Sequence, residues 1–244
     1  MDWPKQCAII VPCFNEAGTI AEVVRQAKAQ LPYVIVVDDG SVDATHSEAL
    51  GAGAEVVTHP VNLGKGAALR VGCEHAARDG FSWAILMDGD GQHSANDIPK
   101  FLSCAERTDA DLIVGDRMGE NCDMMPVVRR LANRWMSHQL SRLTGRKLPD
   151  SQCGFRLVRL EAWKQAGLKS TRFEIESEML VAFSDSGCLI EFAPIEVIYK
   201  QRSSKIHPLV DSLRWWKWWR SAKMGTTPTD HPSGQKDLPV SNCP

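Results

Sequence analysis

Cys7-Ala8-Ile9-Ile10-Val11-Pro12-Cys13-Phe14-Asn15-Glu16 is an apolar run that stops at a polar turn, and Val34-Ile35-Val36-Val37-Asp38-Asp39-Gly40-Ser41 repeats the device. Short apolar runs closed by turn residues read as strands buried on both faces. Residues 16–31 between them carry the spacing of an amphipathic helix. Working outward, the spacing predicts a helix over 43–52, a strand over Ala54–Thr58, a helix over 65–80 and a strand over Trp83–Met87. A helix over 94–107 and a strand over Leu112–Gly115 follow. Strand–helix alternation of this kind predicts an α/β fold with a largely parallel sheet and helices on both faces.

After residue 116 the alternation stops. Residues 124–145 read as a basic amphipathic helical stretch, Cys153–Arg159 as a strand, 174–186 as a helix, Leu189–Tyr199 as strand material broken by Pro194, and 207–223 as a last helix. The tail, 225–244, has four prolines and no aromatic residue, so it is expected to be disordered. No internal repeat is visible.

The chain has 244 residues, 43% of them apolar, which is ample for a buried core and excludes intrinsic disorder or a disulfide-stapled mini-fold. No apolar stretch approaches the ~18 residues of a membrane span. The N-terminus lacks the parts of a signal peptide, so the expected location is cytoplasmic, soluble or peripheral to a membrane. Eight cysteines occur without a C-x-x-C pair and read as buried free thiols, which gives a zinc site little support.

Charge is near balance overall, with 28 basic against 30 acidic residues, but it is not evenly placed. Residues 117–147 hold seven Lys/Arg against two Asp/Glu, and 200–224 hold seven against one, leaving the remainder strongly acidic. Two concentrated basic segments suit an anionic partner, whereas the balance gives no reason to expect nucleic acid. The alternative is two solvated helices paired with acidic neighbours.

In parallel α/β sheets ligands bind beyond the C-terminal ends of the strands. Neither G-x-G-x-x-G nor a P-loop occurs, and Gly64-Lys65-Gly66 lacks the P-loop spacing. The strand ends offer carboxylates instead. Asp88 and Asp90 follow Ala84-Ile85-Leu86-Met87, with Gln92 and His93 next. Two carboxylates at a sheet rim repel unless a cation holds them, and oxygen ligands favour Mg²⁺ or Mn²⁺. An Asx-turn or helix cap would also explain the pair. Asp38-Asp39-Gly40-Ser41 could accept hydrogen bonds from a base or ribose, or could be a simple turn. Asn62-Leu63-Gly64-Lys65-Gly66 opens a helix whose N–H groups and Lys65 suit an anion, although an ordinary glycine-rich helix start explains it equally well.

The ordered set Val11-Pro12-Cys13-Phe14-Asn15-Glu16, Asp38-Asp39-Gly40-Ser41, Asn62-Leu63-Gly64-Lys65-Gly66, Asp88-Gly89-Asp90-Gly91-Gln92-His93, Gly115-Asp116-Arg117 and Asp150-Ser151-Gln152-Cys153-Gly154-Phe155-Arg156 resembles the family 2 glycosyltransferases. It is most similar to their dolichol-phosphate mannosyltransferase-like branch, and the match covers roughly residues 7–208. The resemblance implies a GT-A fold (a Rossmann-like three-layer α/β/α arrangement), a nucleotide-sugar donor, a divalent metal and inversion at the anomeric carbon. Its acceptor would be a polyprenyl phosphate, dolichyl or undecaprenyl.

Carried over residue by residue, the resemblance places Pro12, Phe14 and Glu16 around the nucleotide base and ribose, with Val37 and Asp39 beside them. Asp88, Gly89 and Asp90 would meet the ribose and diphosphate. Asp90 and Gln92 would hold the metal with Asp88 close by, and Arg117 would reach phosphate. Lys205 matches a basic position near the end of the motif set, but Arg202 stands where members often carry glycine.

Asp90, Gln92, Arg117 and Lys205 are the candidates for stabilising the departing nucleotide. A hydroxyl acceptor would need a general base, for which Asp150 is the first candidate and Glu174 or Glu178 the reserves. A phosphate monoester, with a second pKa near ~6, can attack without one. It needs cations, and Arg129, Arg130, Asn133 and Arg134 lie in the basic stretch among apolar residues, a pattern suited to a lipid phosphate.

Trp215, Trp216, Trp218 and Trp219 fall on one side of the last helix and Arg214, Lys217 and Arg220 on the other, which reads as an in-plane membrane anchor. The alternative folds these tryptophans back into the core. The expected organisation is a catalytic domain over 1–206 with acceptor- and membrane-facing helices at 122–147, an interfacial helix over 207–224, and the tail. The partners expected are the donor, the polyprenyl phosphate, the cytoplasmic membrane face and a membrane protein. The rival readings are transfer to a soluble hydroxyl acceptor and a non-catalytic nucleotide-sugar or lipid-binding module.

Overall fold

In the computed structural model seven strands form one sheet: β1 (Cys7–Cys13), β2 (Val34–Asp38), β3 (Glu55–Thr58), β4 (Trp83–Leu86), β5 (Leu112–Asp116), β6 (Arg156–Arg159) and β7 (Ile190–Pro194). The structure describes residues 1–119, 125–196, 198, 214–220 and 222. The strand order is β3-β2-β1-β4-β6-β5-β7, parallel throughout except for β6, which runs antiparallel to both β4 and β5. The helices are α1 (Trp3–Gln6), α2 (Ile20–Gln30), α3 (Thr45–Gly51), α4 (Lys65–Arg78), α5 (Ile98–Thr108), α6 (Val127–Thr144), α7 (Leu160–Ala166) and α8 (Ile175–Asp185). Residues 214–220 are helical as well.

Strands β1 to β3 step outward on one side, and β4 then returns to the other side of β1, in register Ile10↔Leu86. The reversal leaves a crevice beyond the C-terminal ends of β1 and β4, where ligands settle in open α/β sheets. Ile9, Ile10, Ile35, Ile85, Leu86, Phe101, Phe155 and Phe183 are fully buried, so the sheet rests on a core that holds the strand ends in place. On one face Gly72 of α4 lets the helix approach Ile10 and Val37 closely.

Each expected strand forms, but β6 begins at Arg156 rather than Cys153, and of the Leu189–Tyr199 stretch Ile190–Pro194 is strand while Val197 and Tyr199 lie outside the described residues. Helix α2 starts at Ile20 rather than near 16, because Glu16 to Thr19 make a turn in which the Thr19 hydroxyl bonds to the Gly89 carbonyl at 2.9 Å. Helices α1 and α7 were not anticipated. Cys7, Cys13, Cys73 and Cys153 are buried free thiols and Cys188 is a half-buried one, but Cys104 is disulfide-bonded, which corrects the all-thiol expectation. Among the described residues no helix is long and apolar enough to cross a membrane. The tail from 225 onward lies outside the described residues.

The tryptophan helix departs from an anchor that presents all four indoles to lipid. Trp215 is 4% exposed, its Nε1 donates to Ser177 Oγ of α8 at 2.8 Å, and its ring lies 5.5 Å from that of Trp135 on α6. Trp219 stacks on Trp215 and Trp218 is half-buried. Trp216, 43% exposed, faces outward with Arg220 over its ring. Burying an indole against α8 gains more than leaving it at the surface, so most of this face turns inward.

Candidate active site

The turn after β4 lies at the crevice. Gly89 passes so close to the end of β1 that a Cβ there would sit 3.0 Å from the Cβ of Cys13, so a side chain would push the turn off the strand. Asp88 and Asp90 flank this contact and both are partly exposed, as is Gln92, whose backbone N–H donates to Asp90 Oδ1 at 3.0 Å. Ile198 N–H donates to the Gln92 carbonyl at 3.0 Å, so the chain beyond β7 pins the far end of the turn. Pro12, Phe14 and Glu16 at the end of β1 are half-buried beside it, and Glu16 Oε2 accepts from the Thr19 hydroxyl.

Lys65, at the first turn of α4, lies inside this network. Its Nζ is 2.5 Å from Asp88 Oδ1 and 2.7 Å from Glu176 Oε1. Burial works against the lysine charge, but the two carboxylates outweigh it and its pKa is raised. Burial likewise opposes ionisation of Asp88, yet Lys65, His93 and Arg117 hold it at about 2. Asp90 is shifted the other way, by burial and by the charge of Asp88. His93 stacks on Phe155 at 5.0 Å and accepts at Nδ1 from the Asp88 backbone N–H, and burial lowers its pKa. Gly154 leaves room for the Lys65–Asp88 pair: a Cβ there would lie 2.6 Å from Nζ.

Glu176 escaped the sequence reading, although an acid inside the apolar run Ile175-Glu176-Ser177-Glu178-Met179-Leu180 is the signal that could have found it. The anion site expected at the start of α4 is filled by protein. Leu63 and Gly64 N–H donate to Asp39 at 2.9 and 2.7 Å, and Ala67 N–H donates to the Thr171 carbonyl. Gly66 is needed because the Ser170 carbonyl presses on the helix there.

Three other expected site residues are enclosed by protein. Asp39 is buried, with both oxygens engaged by the 59–64 loop and His59 Nδ1 at 2.7 Å, which ties this loop to the end of β2. Val37 is fully buried with Cγ2 against Gly72. Asp150 is fully buried and accepts five hydrogen bonds, from Arg117 N, Nε and Nη2, Asn133 Nδ2 and Gln152 N. Burial would raise its pKa, but Arg117 and these donors lower it, and a saturated, ionised carboxylate is a poor proton acceptor.

Arg117 spends its fork on Asp150 at 2.7 and 2.9 Å while its charge still reaches Asp88. Asn133 is buried on the inner face of α6 holding Asp150, whereas Arg129 and Arg130 are half-buried and Arg134 is exposed. Of the reserve bases, Glu178 accepts the N–H groups of Lys169 and Ser170, and Glu174 stands half-buried at the start of α8. Lys205 and Arg202 lie outside the described residues. Away from the crevice, Glu55, His75 and Asp79 cluster at the surface, with the Tyr33 hydroxyl against Glu55 and Asp79 and His75 Nε2 against Glu55 Oε1.

The family model for "Glycosyl transferase family 2" matches residues 8–167, a span that runs from β1 through the carboxylate turn to the end of α7. The chain belongs to glycosyl transferase family 2. Among the relatives of this transferase is the dodecaprenyl-phosphate galacturonate synthase of Rhizobium johnstonii, 32% identical over 67% of this chain and 50% of that protein. Another is the UDP-N-acetylglucosamine–dolichyl-phosphate N-acetylglucosaminyltransferase of Methanococcus voltae, 28% identical over 82% of this chain and 88% of that one. The fold is GT-A-like: it matches glucosyl-3-phosphoglycerate synthase of Mycobacterium tuberculosis, solved with Mn²⁺, UDP and glucosyl-3-phosphoglycerate, with a TM-score of 0.66 and 18% identity over 92% of this chain and 82% of that one.

Proposed function

We propose that this family 2 transferase moves a hexose, with inversion, from a GDP- or UDP-sugar to a polyprenyl phosphate at the cytoplasmic face of a membrane. The observation that carries the reading is the contrast between an open rim, Asp88 and Asp90, and the sealed Asp150. A site able to stabilise a leaving diphosphate, whose foremost candidate base is neutralised by Arg117, suits a nucleophile that is already ionised. A phosphate monoester is largely dianionic at neutral pH. The two relatives named for polyprenyl and dolichyl phosphates support the same acceptor class.

In this reading Pro12, Phe14 and Glu16 contact the base and ribose, and Gly89 lets the diphosphate approach the turn. The rim fits a divalent ion: its oxygen donors are hard, and burial together with the charge of Asp88 raises the pKa of Asp90, a penalty that a cation relieves. Mg²⁺ or Mn²⁺ would be held by Asp88, Asp90 and Gln92 and would supply positive charge toward the leaving phosphate. Lys65 fixes one oxygen of Asp88, so the carboxylate keeps its orientation as the donor enters. Arg117 adds fixed positive charge, and Lys205 is proposed to join it.

On α6, Val127, Leu131 and Trp135 are exposed at four-residue spacing, with Val128 81% exposed beside them. Arg129, Arg130 and Arg134 flank this stripe, a pattern that suits a lipid with an anionic head at a membrane surface or beside a membrane protein. Asn133 acts from behind by holding Asp150.

Glucosyl-3-phosphoglycerate synthase favours a second reading, transfer to a soluble hydroxyl acceptor. Half-exposed Asp116 would then be the base, because burial and the charge of Asp150 push its pKa up. The deciding experiment incubates the protein with polyprenyl phosphate in membranes and radiolabelled UDP- and GDP-sugars, with and without EDTA. Chelator-sensitive label in the organic phase is expected; label confined to water-soluble product overturns the lipid acceptor.

A further inference from the structure

An open groove of about 350 Å³ lies between the 169–174 segment and the 214–220 helix. That is roughly ten times the ~30 Å³ one water occupies in the liquid. Lys169, Arg172 and Arg214 line it, with Glu174 the acid among them and the half-buried indole of Trp218 as an apolar wall. Neither Lys169 nor Arg172 forms an ion pair among the described residues. Lys169 and Arg172, three residues apart on one wall, repel one another, and an anion beside them makes the arrangement favourable.

Both walls are fixed. In the first, Glu178 accepts the Lys169 and Ser170 N–H groups at 2.9 and 2.7 Å, Arg70 donates to the Leu168 carbonyl at 2.8 Å, and Ala67 N–H donates to the Thr171 carbonyl. In the second, the bond from Trp215 to Ser177 seats the helix on α8. Arg214 and Trp218, four residues apart, share one helical face toward the groove. Ser170 and Thr171 complete the lining between the charges.

We propose that this groove binds an organic phosphate, which bridges Lys169 and Arg172 on the catalytic body to Arg214 on the tryptophan helix and holds that helix down. The phosphate takes the guanidinium and ammonium groups, and its organic part lies along Trp218. The ligand chemistry is shared by soluble phosphate esters and phospholipid headgroups. The segment that carries Lys169 and Arg172 also packs on the start of α4, where the Phe173 ring lies 5.9 Å from Lys65 Nζ.

The test uses the full chain without nucleotide. Glycerol 3-phosphate is titrated by calorimetry with tryptophan fluorescence in parallel. Sedimentation with phosphatidylcholine vesicles, with and without phosphatidic acid, supplies the lipid arm. The Lys169→Ala/Arg172→Ala variant is expected to bind at least about tenfold more weakly, as the loss of charge-assisted hydrogen bonds implies. Arg25→Ala/Lys28→Ala, which removes the same charge from α2, should leave binding unchanged. Glu174→Gln should tighten binding about two- to fivefold by removing the opposing charge, a gain that a damaged fold cannot give. Variant-sensitive binding of glycerol 3-phosphate identifies a soluble ester, and variant-sensitive binding only to phosphatidic acid vesicles identifies a headgroup. If neither probe binds, or if both double variants lose affinity equally, the groove is not a phosphate site and the proposal falls.

Discussion

Asp88–Asp90 and Asp150 are acidic stations in one molecule with opposite surroundings. The first pair sits at the mouth of the crevice, partly exposed, with Asp88 held by Lys65 and Asp90 destabilised by burial and by the charge of Asp88. Asp150 is sealed and takes five hydrogen bonds. A carboxylate with capacity to spare can meet a ligand, whereas a saturated one can only position its donors. The role of each acid therefore follows from its donors more than from its place in a motif.

The largest break in this contrast should come from Asp90→Ala. We expect transfer to fall by about a thousandfold, the scale of losing electrostatic stabilisation of a leaving group, with the thermal unfolding of the variant close to that of the parent. Measured turnover within tenfold of the parent would remove Asp90 from the chemistry. Asp150→Asn should act in the reverse order. Removing one partner of a buried ion pair costs about 3–5 kcal/mol, read by urea unfolding, and the protein that remains folded should still bind donor. A stable but inactive Asp150→Asn variant would restore Asp150 as a base.

Acid sharpens the same comparison. The Asp150 pKa is lower folded than unfolded, so its contribution to stability is complete above the ordinary carboxylate value of ~3.9 and disappears as pH falls through the folded value. The stability gap between parent and Asp150→Asn should therefore stay constant from neutral pH to about 4 and narrow below it; a gap that stays constant below about pH 4 would show that the pairing is not electrostatic. Asn133→Ala should cost less, about 1–3 kcal/mol, because it removes one of several donors to the same buried group. Smallest of all, Trp216→Ala should change unfolding stability by only about 0.5 kcal/mol while weakening binding to anionic vesicles, and unchanged vesicle binding would detach the exposed indole from the membrane reading.

The strands and their succession were legible because buried parallel strands are continuous apolar runs closed by turn residues, as in Cys7–Cys13 and Trp83–Leu86. The carboxylate turn was legible for the same reason: it follows a strand, and strand ends fix position. Helix α7 was hidden because it follows β6 without a turn, and its seven residues carry less than two turns of periodicity. The antiparallel placement of β6 depends on pairing across the chain, which no local pattern records. The sequence places Lys65 at a helix start suited to an anion but cannot pair it with Asp88 and Glu176, because these partners are distant along the chain. Helical periodicity grouped the four tryptophans but could not tell that the face holding Trp215 meets α8 rather than lipid.

The central claim is that the Asp88–Asp90 rim takes a nucleotide sugar together with a divalent ion. Calorimetric titration of UDP- and GDP-sugars, in EDTA and then in Mn²⁺ or Mg²⁺, tests it most directly. The account predicts that the metal tightens binding of at least one donor by about tenfold or more, as a direct charge contact implies, and that Asp90→Ala abolishes the gain. Equal affinity with and without metal for every donor would contradict it.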